Sequence, residues 1–289
     1  MAASYSVNGK VVLITGGARG IGKAIAMQLR TRGARLVVVD LRPDEIDRTV
    51  EELGGDEVAL GLQADVTDRG AMQRVVAQAV ERFGGLDVVV ANAGIVSRAA
   101  TMRSMATETF DRILDVNVNG VVNTVQAALP QVVERRGQVV AISSVMAFAN
   151  SAGSIPYGMS KAAVEAMARG LRVELLPLGA SATSVHFGFI DTDMVQRALD
   201  TDPVVKGVLD ALPSPLKRRL RPEQAAAAVV AGIESRAPRV ITPPVWKLFF
   251  YLRGIIAPLL DLQAERDAGT RASMAALDGR DGEELEMTA

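Results

Sequence analysis

Tyr157 and Lys161 stand four residues apart in Tyr157-Gly-Met-Ser-Lys161, and Ser144 lies thirteen residues upstream of the tyrosine. On a helix that spacing stacks tyrosine and lysine on one face, a turn apart. An ammonium so placed favours the phenolate and draws a hydroxyl with a reference pKa of about 10 towards working pH. Near the N-terminus, Thr15-Gly-Gly-Ala-Arg-Gly-Ile-Gly22 offers a second chemistry. A glycine-rich turn that opens a helix holds a dinucleotide by its pyrophosphate. Removing a hydride from an alcohol leaves positive charge on carbon unless the hydroxyl proton also departs. A phenolate beside Lys161 and a cationic nicotinamide can take that proton, and Ser144 can donate to the changing oxygen. The two motifs together point to hydride transfer.

Each glycine of the turn has a task. Gly16 permits the tight turn, Gly20 lets backbone approach phosphate, and Gly22 allows close helix–strand packing. Asp40 falls eighteen residues past Gly22. A carboxylate there accepts hydrogen bonds from the adenosine ribose and repels a 2′-phosphate, which favours NAD over NADP. Arg19 and Arg42 pull towards NADP, since both could reach a 2′-phosphate, but a carboxylate at the ribose outweighs two mobile arginines. The other use of Asp40 is to cap the turn before Pro43.

These residues need a frame. Short apolar runs rich in Val and Ile mark strands at 11–14, 36–39, 58–62, 88–91, 139–142 and 183–187, with a last one at 239–242. Helical stretches lie between them at 21–32, 43–53, 69–83, 107–134, 155–176 and 222–235. Unalternating apolar strands suit burial on both faces, and strand–helix alternation builds a parallel sheet. The expected fold is α/β, a single-domain doubly wound (Rossmann-like) parallel sheet with helices on both faces. Residues 1–243 would form the NAD-binding catalytic part. Residues 244–289 would form an apolar extension and acidic tail packed on or beside it. Inside 107–134, Asn117, Asn119 and Gly120 are poor helix formers, so a local bend with a bound water is expected. Residues 192–221 carry Pro203, Pro213 and Pro215 and should be short helices joined by turns; 278–289 should be a frayed tail.

Composition excludes several classes. A net charge of −1 over 289 residues and a pI near 6.0 leave no basic footprint for nucleic acid. Cysteine is absent and His186 is the single histidine, so no thiolate or multi-histidine metal site is expected. The first ten residues lack the apolar run of a signal peptide, which places the chain in the cytoplasm.

The ordered set Thr15-Gly16-x-x-x-Gly20-x-Gly22, Asp65-Val66, Asn92-Ala93-Gly94, Asn117, Ser144, Tyr157-x-x-x-Lys161 and Asp191-Thr192 resembles the classical short-chain dehydrogenase/reductase family. The resemblance implies that Asp65 and Val66 contact adenine, and that Asn92, Ala93 and Gly94 steady the sheet and line the cofactor cleft. Arg19, Ile21 and Ile190 complete the expected cofactor contacts, and Thr192 holds the nicotinamide carboxamide. Tyr157 becomes the general acid or base, Lys161 lowers its pKa and holds the nicotinamide ribose, and Ser144 binds the substrate oxygen. Asn117 anchors a water in a proton relay. The family also implies a homodimer or homotetramer built on the long helices. One departure is that His186-Phe187-Gly188 stands where the family commonly has Pro-Gly, so the loop over the nicotinamide is expected to be looser or reshaped. His186 reads as a strand residue, and Asp191 as the cap of the next helix.

The substrate side is thinner. Met146, Phe148, Ile155, Met194 and Val195 fall where this fold places pocket walls, and none carries charge; ordinary packing is their other use. An apolar alcohol or ketone, lipid-, steroid- or terpenoid-like, is the expected substrate. Val245 to Leu262 is densely apolar, but Lys247, Arg253 and Pro258 make it a poor membrane span. It can pack on a partner subunit, cover the pocket or lie on a membrane surface. Rival readings are an NADP(H)-dependent carbonyl reductase, a non-catalytic nucleotide sensor and a membrane-surface binding protein.

Overall fold

Alternate residues of each apolar run feed two different cores. The computed structural model describes residues 4–205 and 214–280. It begins with β1 (Val11–Thr15), α1 (Gly20–Thr31), β2 (Arg35–Asp40), α2 (Pro43–Leu53), β3 (Ala59–Gln63) and α3 (Arg69–Phe83). Then come β4 (Val88–Ala91), α4 (Thr107–Leu114), α5 (Gly120–Glu134), β5 (Gln138–Ser144) and α6 (Ile155–Glu174). The chain continues through β6 (Ser181–Phe187), α7 (Pro222–Glu234), β7 (Arg239–Thr242), α8 (Trp246–Arg266) and α9 (Ala268–Asp278). Leu13, Val37 and Val89 point into one core with α3, α5 and α6. Val12, Ile14, Leu36 and Val88 point into the other, with α1 and α7. A period of two in the side chains and helices on both faces give this division.

The seven strands pair in parallel in the order β3-β2-β1-β4-β5-β6-β7. The order reverses between β1 and β4, and that switch point is where a doubly wound sheet opens a crevice at its strand ends. The strands and helices read from the sequence are all present, with ends displaced by no more than two residues. The expected bend is a π-helical turn over Asp115–Asn119 joining α4 to α5. After β6, brief helical turns at Asp193–Val195 and Gln196–Asp200 and helical residues 203–205 precede residue 206. The expectation for 206–213, Pro213 included, lies outside the described residues.

The C-terminal part departs from expectation in three ways. Pro258 does not interrupt the apolar segment, because α8 runs through it. The ring and missing N–H act on the Gly254 carbonyl, which is exposed and so within reach of water. The helix α9 has no counterpart in the sequence reading. Asp278 is not frayed: it ends α9, accepts from Thr101 Oγ1 at 2.5 Å and from Arg103 Nε at 3.1 Å, and pairs with that guanidinium. These donors hold its carboxyl down at about 2. Arg280 then pairs with the buried Asp202 at 2.6 Å. The remainder of the expected tail, 281–289, lies outside the described residues.

The inner face of α8 sets Trp246, Phe249 and Phe250 against Phe148, Val145 and Ile241. Phe148 stacks edge-on to Phe250 with ring centroids 5.2 Å apart. Arg253 clamps this contact by donating to both oxygens of the buried Glu165 on α6, at 3.0 and 3.1 Å. No helix among the described residues is long and apolar enough to cross a membrane.

Candidate functional site

The cleft at the switch point has a volume of about 420 Å³, within the ordinary range for a small-molecule site. Its floor is the turn between β1 and α1. Gly16 and Gly20 take φ of +62° and +52°, a region open to glycine at no steric cost. A Cβ on Gly22 would lie 2.1 Å from the Gly16 oxygen and 2.7 Å from Asn92 Nδ2, so helix and turn touch without a side chain between them. A Cβ on Gly20 would instead meet nothing nearer than Thr192 Cγ2 at 3.8 Å. That open backbone at a helix N-terminus suits a pyrophosphate, and the residues present fit a dinucleotide.

Asn92 staples the turn to β4. Its Nδ2 donates to the oxygens of Thr15 and Gly16 at 2.9 and 3.1 Å, while Thr15 Oγ1 accepts from the N–H groups of Asn92 and Ala93. Asp40 ends β2 and lines the cleft. Its carboxylate accepts from Ala18 N at 3.2 Å and Leu41 N at 2.8 Å. It therefore braces the glycine turn as well as bordering the cleft, a duty not expected from the sequence. Arg19, Ile21, Val66, Gly94, Ile190 and Thr192 also line the cleft; Arg42 is exposed at the start of α2 and is not among the lining residues. Asp65 lines it too, yet its carboxylate is committed to Thr67 and Arg112. Burial pulls the Asp65 carboxyl up, but those hydrogen bonds hold it below the usual range.

At the other end of the cleft Tyr157, Lys161 and Ser144 converge. Both spacing-derived partners lie on α6, and Ser144 is the last residue of β5. Lys161 Nζ sits 5.5 Å from the centre of the Tyr157 ring and donates to the Ile142 carbonyl at 3.2 Å. Ser143 Oγ holds the Lys161 backbone oxygen at 2.7 Å. Burial lowers the Lys161 ammonium to about 8. Burial also pushes the Tyr157 hydroxyl above its ordinary value, opposed by a hydrogen bond with Ser144. Ser144 is thus the hydrogen-bond partner that draws the phenol downwards.

Ser144 plays two parts. It caps the short turn that follows β5 by accepting from Met146 N at 3.2 Å, and its own proton reaches the Phe187 carbonyl at 3.4 Å. A hydroxyl has one proton to give, and a contact of 3.4 Å is a weak hold on it. The proton can turn to a developing negative oxygen at little cost.

Asn117 lies in the π-helical turn, fully buried. Its side chain accepts from Ile95 N at 2.8 Å and donates to the Ile95 oxygen and Ser160 Oγ at 2.9 and 3.1 Å. The amide thus secures the loop after β4, and a Cβ on Gly94 would lie 3.1 Å from its Oδ1 and 3.3 Å from Lys161 Nζ. Ser143 and Ser160, which brace the site, carried no sequence signal, because Lys161 and Asn117, the partners of their hydroxyls, are distant along the chain.

Three local expectations change. Thr192, not Asp191, caps the turn after β6: its Oγ1 accepts from Val195 N at 3.4 Å, while Asp191 receives Gln196 Nε2. Phe187 does not loosen the chain, since β6 runs through it in register with Ser144 and Thr242. The reshaping comes one residue later, where the Trp246 indole packs so close to Gly188 that a Cβ would lie 2.7 Å from Nε1. Of the five apolar pocket candidates, Met194 and Val195 line the cleft, and Phe148 belongs to the aromatic cluster under α8. His186 is a buried strand residue whose ring nitrogens lie 3.3 Å from the Ser144 oxygen and 3.2 Å from Ser184 Oγ. Burial holds its imidazole below the ordinary value.

A doubly wound sheet with a glycine cradle at its switch point defines a nucleotide-binding fold. The chain belongs to the short-chain dehydrogenase/reductase family, an enzyme family acting on CH–OH groups: the short chain dehydrogenase profile matches residues 10–203. It is 38% identical over 191 residues to an uncharacterized oxidoreductase of Mycobacterium bovis, covering 66% of this chain and 77% of that one. It is 34% identical over 240 residues to oxidoreductase UcpA of Salmonella typhimurium, covering 79% and 90%. Among solved structures, a short-chain type dehydrogenase/reductase from Mycobacterium marinum superposes with a TM-score of 0.73 at 31% identity, over 83% of this chain and 98% of that one. A short chain dehydrogenase from Mycobacterium paratuberculosis bound to NAD superposes with a TM-score of 0.71 at 29% identity, over 82% and 97%.

Proposed function

We propose that this enzyme interconverts an apolar secondary alcohol and its ketone with NAD(H). The observation that carries the reading is the convergence of Tyr157, Ser144 and Lys161 at the far end of a cleft whose near end is bordered by Asp40. Bound in that cleft, the nicotinamide would accept or return the hydride. Tyr157 takes the alcohol proton in one direction and returns it in the other. Ser144 donates to the substrate oxygen, and Lys161 holds the ribose and the charge beside the phenol. The Asn117 side chain is spent on the Ile95 loop, so a relay water is held by the backbone of the π-helical turn. The catalytic part lies within residues 1–243 and the described residues 244–280 act as an extension docked on it, in a homodimer or homotetramer assembled on α5 and α6.

NAD is preferred because the Asp40 carboxylate stands where a 2′-phosphate would go. Arg19 also borders the cleft and supports NADP(H) as the second reading. Asp40→Ala removes the repulsion and is expected to reduce the NAD-over-NADP preference in kcat/KM by at least about tenfold, given the worth of one charge contact. Asp40→Asn, which keeps an acceptor for Ala18 N–H, separates charge from bracing. An unchanged cofactor ratio in both variants would refute the assignment.

Ser144→Ala tests the acid–base assignment through pH. The Ser144 hydrogen bond lowers the Tyr157 pKa, so its loss raises that pKa. Alcohol oxidation requires the deprotonated phenol. The acid limb of its kcat/KM profile should therefore move to higher pH, with the rate below it falling. A limb left in place would remove Ser144 from the chemistry. The substrate class is tested by a panel of apolar secondary alcohols set against sugar phosphates and hydroxy acids. Turnover confined to the charged group would overturn the apolar reading.

A further inference from the structure

The outer face of α8 is an uncovered apolar stripe with an unusual symmetry. Leu248, Tyr251, Leu252, Ile255, Leu259 and Leu262 are 42 to 66% exposed, and exposed Pro258 joins them. On a helix these positions share one face. Counted from Ile255, Leu248 and Leu262 lie seven residues to either side, Tyr251 and Leu259 four, and Leu252 and Pro258 three. The stripe therefore reads the same in both directions. Two copies laid antiparallel would set Ile255 against Ile255 and Leu248 against Leu262.

The charges beside the stripe obey the same reversal. Lys247 and Glu265 are both exposed and eighteen residues apart, which is five full turns and hence the same side of the stripe. A two-fold axis through Ile255 brings Lys247 of each copy towards Glu265 of the other, on one flank of the pair. A self-complementary patch of this kind is what an isologous interface requires. A lipid surface fits less well. Interfacial helices are rich in cations on their polar face, whereas here Lys247 and Arg266 are offset by Asp261 and Glu265, and Arg253 is spent on Glu165.

We propose that α8 is a homotypic docking surface, pairing antiparallel with α8 of a second copy about a two-fold axis at Ile255. This contact is separate from α5 and α6 and independent of the reaction assigned above. Its seven positions are fewer than the 20–30 residues a side of a standard interface, so pairing at micromolar protein or alongside another contact is expected.

The chain has no cysteine, which makes disulfide trapping clean. Under mild oxidation Ile255→Cys should link to itself, while Leu248→Cys alone should not but should link when mixed with Leu262→Cys. Added to the Leu248→Cys and Leu262→Cys pair, Ile255→Glu should reduce their mixed disulfide-linked dimer at fixed protein by roughly tenfold or more, as for a central interface position. Lys247→Glu should weaken association, and adding Glu265→Lys to it should restore it. Ile255 is mostly exposed, so every variant should keep its fold and its NADH binding, which separates failure here from failure of the enzymatic reading. No linkage at Ile255→Cys would overturn the proposal, as would self-linkage of Leu248→Cys alone. So would flotation of the wild type with phosphatidylglycerol vesicles, lost in Ile255→Glu, without any cross-link.

Discussion

Tyr157→Phe is expected to lower kcat by roughly 10²- to 10⁴-fold, the usual worth of a positioned acid–base group, while NADH still binds. The phenyl ring keeps the shape of the side chain, so the contact with Lys161 Nζ, 5.5 Å from the ring centre, persists. Only the hydroxyl is lost, and with it the group that exchanges the substrate proton. Ser144 remains to polarise the substrate oxygen, but it has one proton and no base behind it. His186 cannot substitute, since it is buried among Phe148, Phe250 and Ser184 and is held neutral by that burial. Measuring kcat with the best alcohol of the panel, and the NADH Kd on the same sample, checks both halves. Retained turnover would remove Tyr157 from the chemistry.

Gly22→Ala carries the second large effect, on the cofactor side. The added Cβ would lie 2.1 Å from the Gly16 oxygen and 2.7 Å from Asn92 Nδ2. Both neighbours belong to the staple that closes the turn, and the nearer one is backbone, so no rotamer change can relieve the clash. Opening the turn breaks the Asn92 contacts and misplaces the N–H groups that face the phosphates. Overpacking of this kind costs about 1–3 kcal/mol in stability or more. NADH affinity should fall at least about tenfold, the equivalent of 1.4 kcal/mol. Urea denaturation and a binding titration measure the two costs separately. A variant with wild-type stability and affinity would show that the turn is not the cradle described.

The frame was legible because its signals are local. Runs such as Val11 to Ile14 and Leu36 to Val39 are apolar at every position, and only a strand buried on both faces uses all of them. Gly16, Gly20 and Gly22 directly follow one such run, and Tyr157 and Lys161 are one helical turn apart, so spacing alone brought each group together. What stayed hidden depends on distant contacts. Ser160 and Ser143 acquire partners 43 and 18 residues away, and nothing beside them marks this. Asp191 and Thr192 are both good capping residues, and only backbone geometry selects the threonine. The helix α9 buries little more than Leu277, so it shows no apolar period, and its end is fixed by Asp278 reaching Thr101. The burial of Tyr157 and Lys161 was hidden as well. Spacing places the ammonium beside the ring, but burial, which weakens both charged forms, is a tertiary effect.

The cleft between β1 and β4 is expected to bind a nicotinamide dinucleotide, with Asp40 selecting NAD. Fluorescence titration of the purified chain with NADH and with NADPH tests this most directly. Saturable binding of NADH, at least about tenfold tighter than that of NADPH, is the predicted result. Tighter binding of NADPH would contradict the role of Asp40, and failure of either nucleotide to bind would contradict the account as a whole.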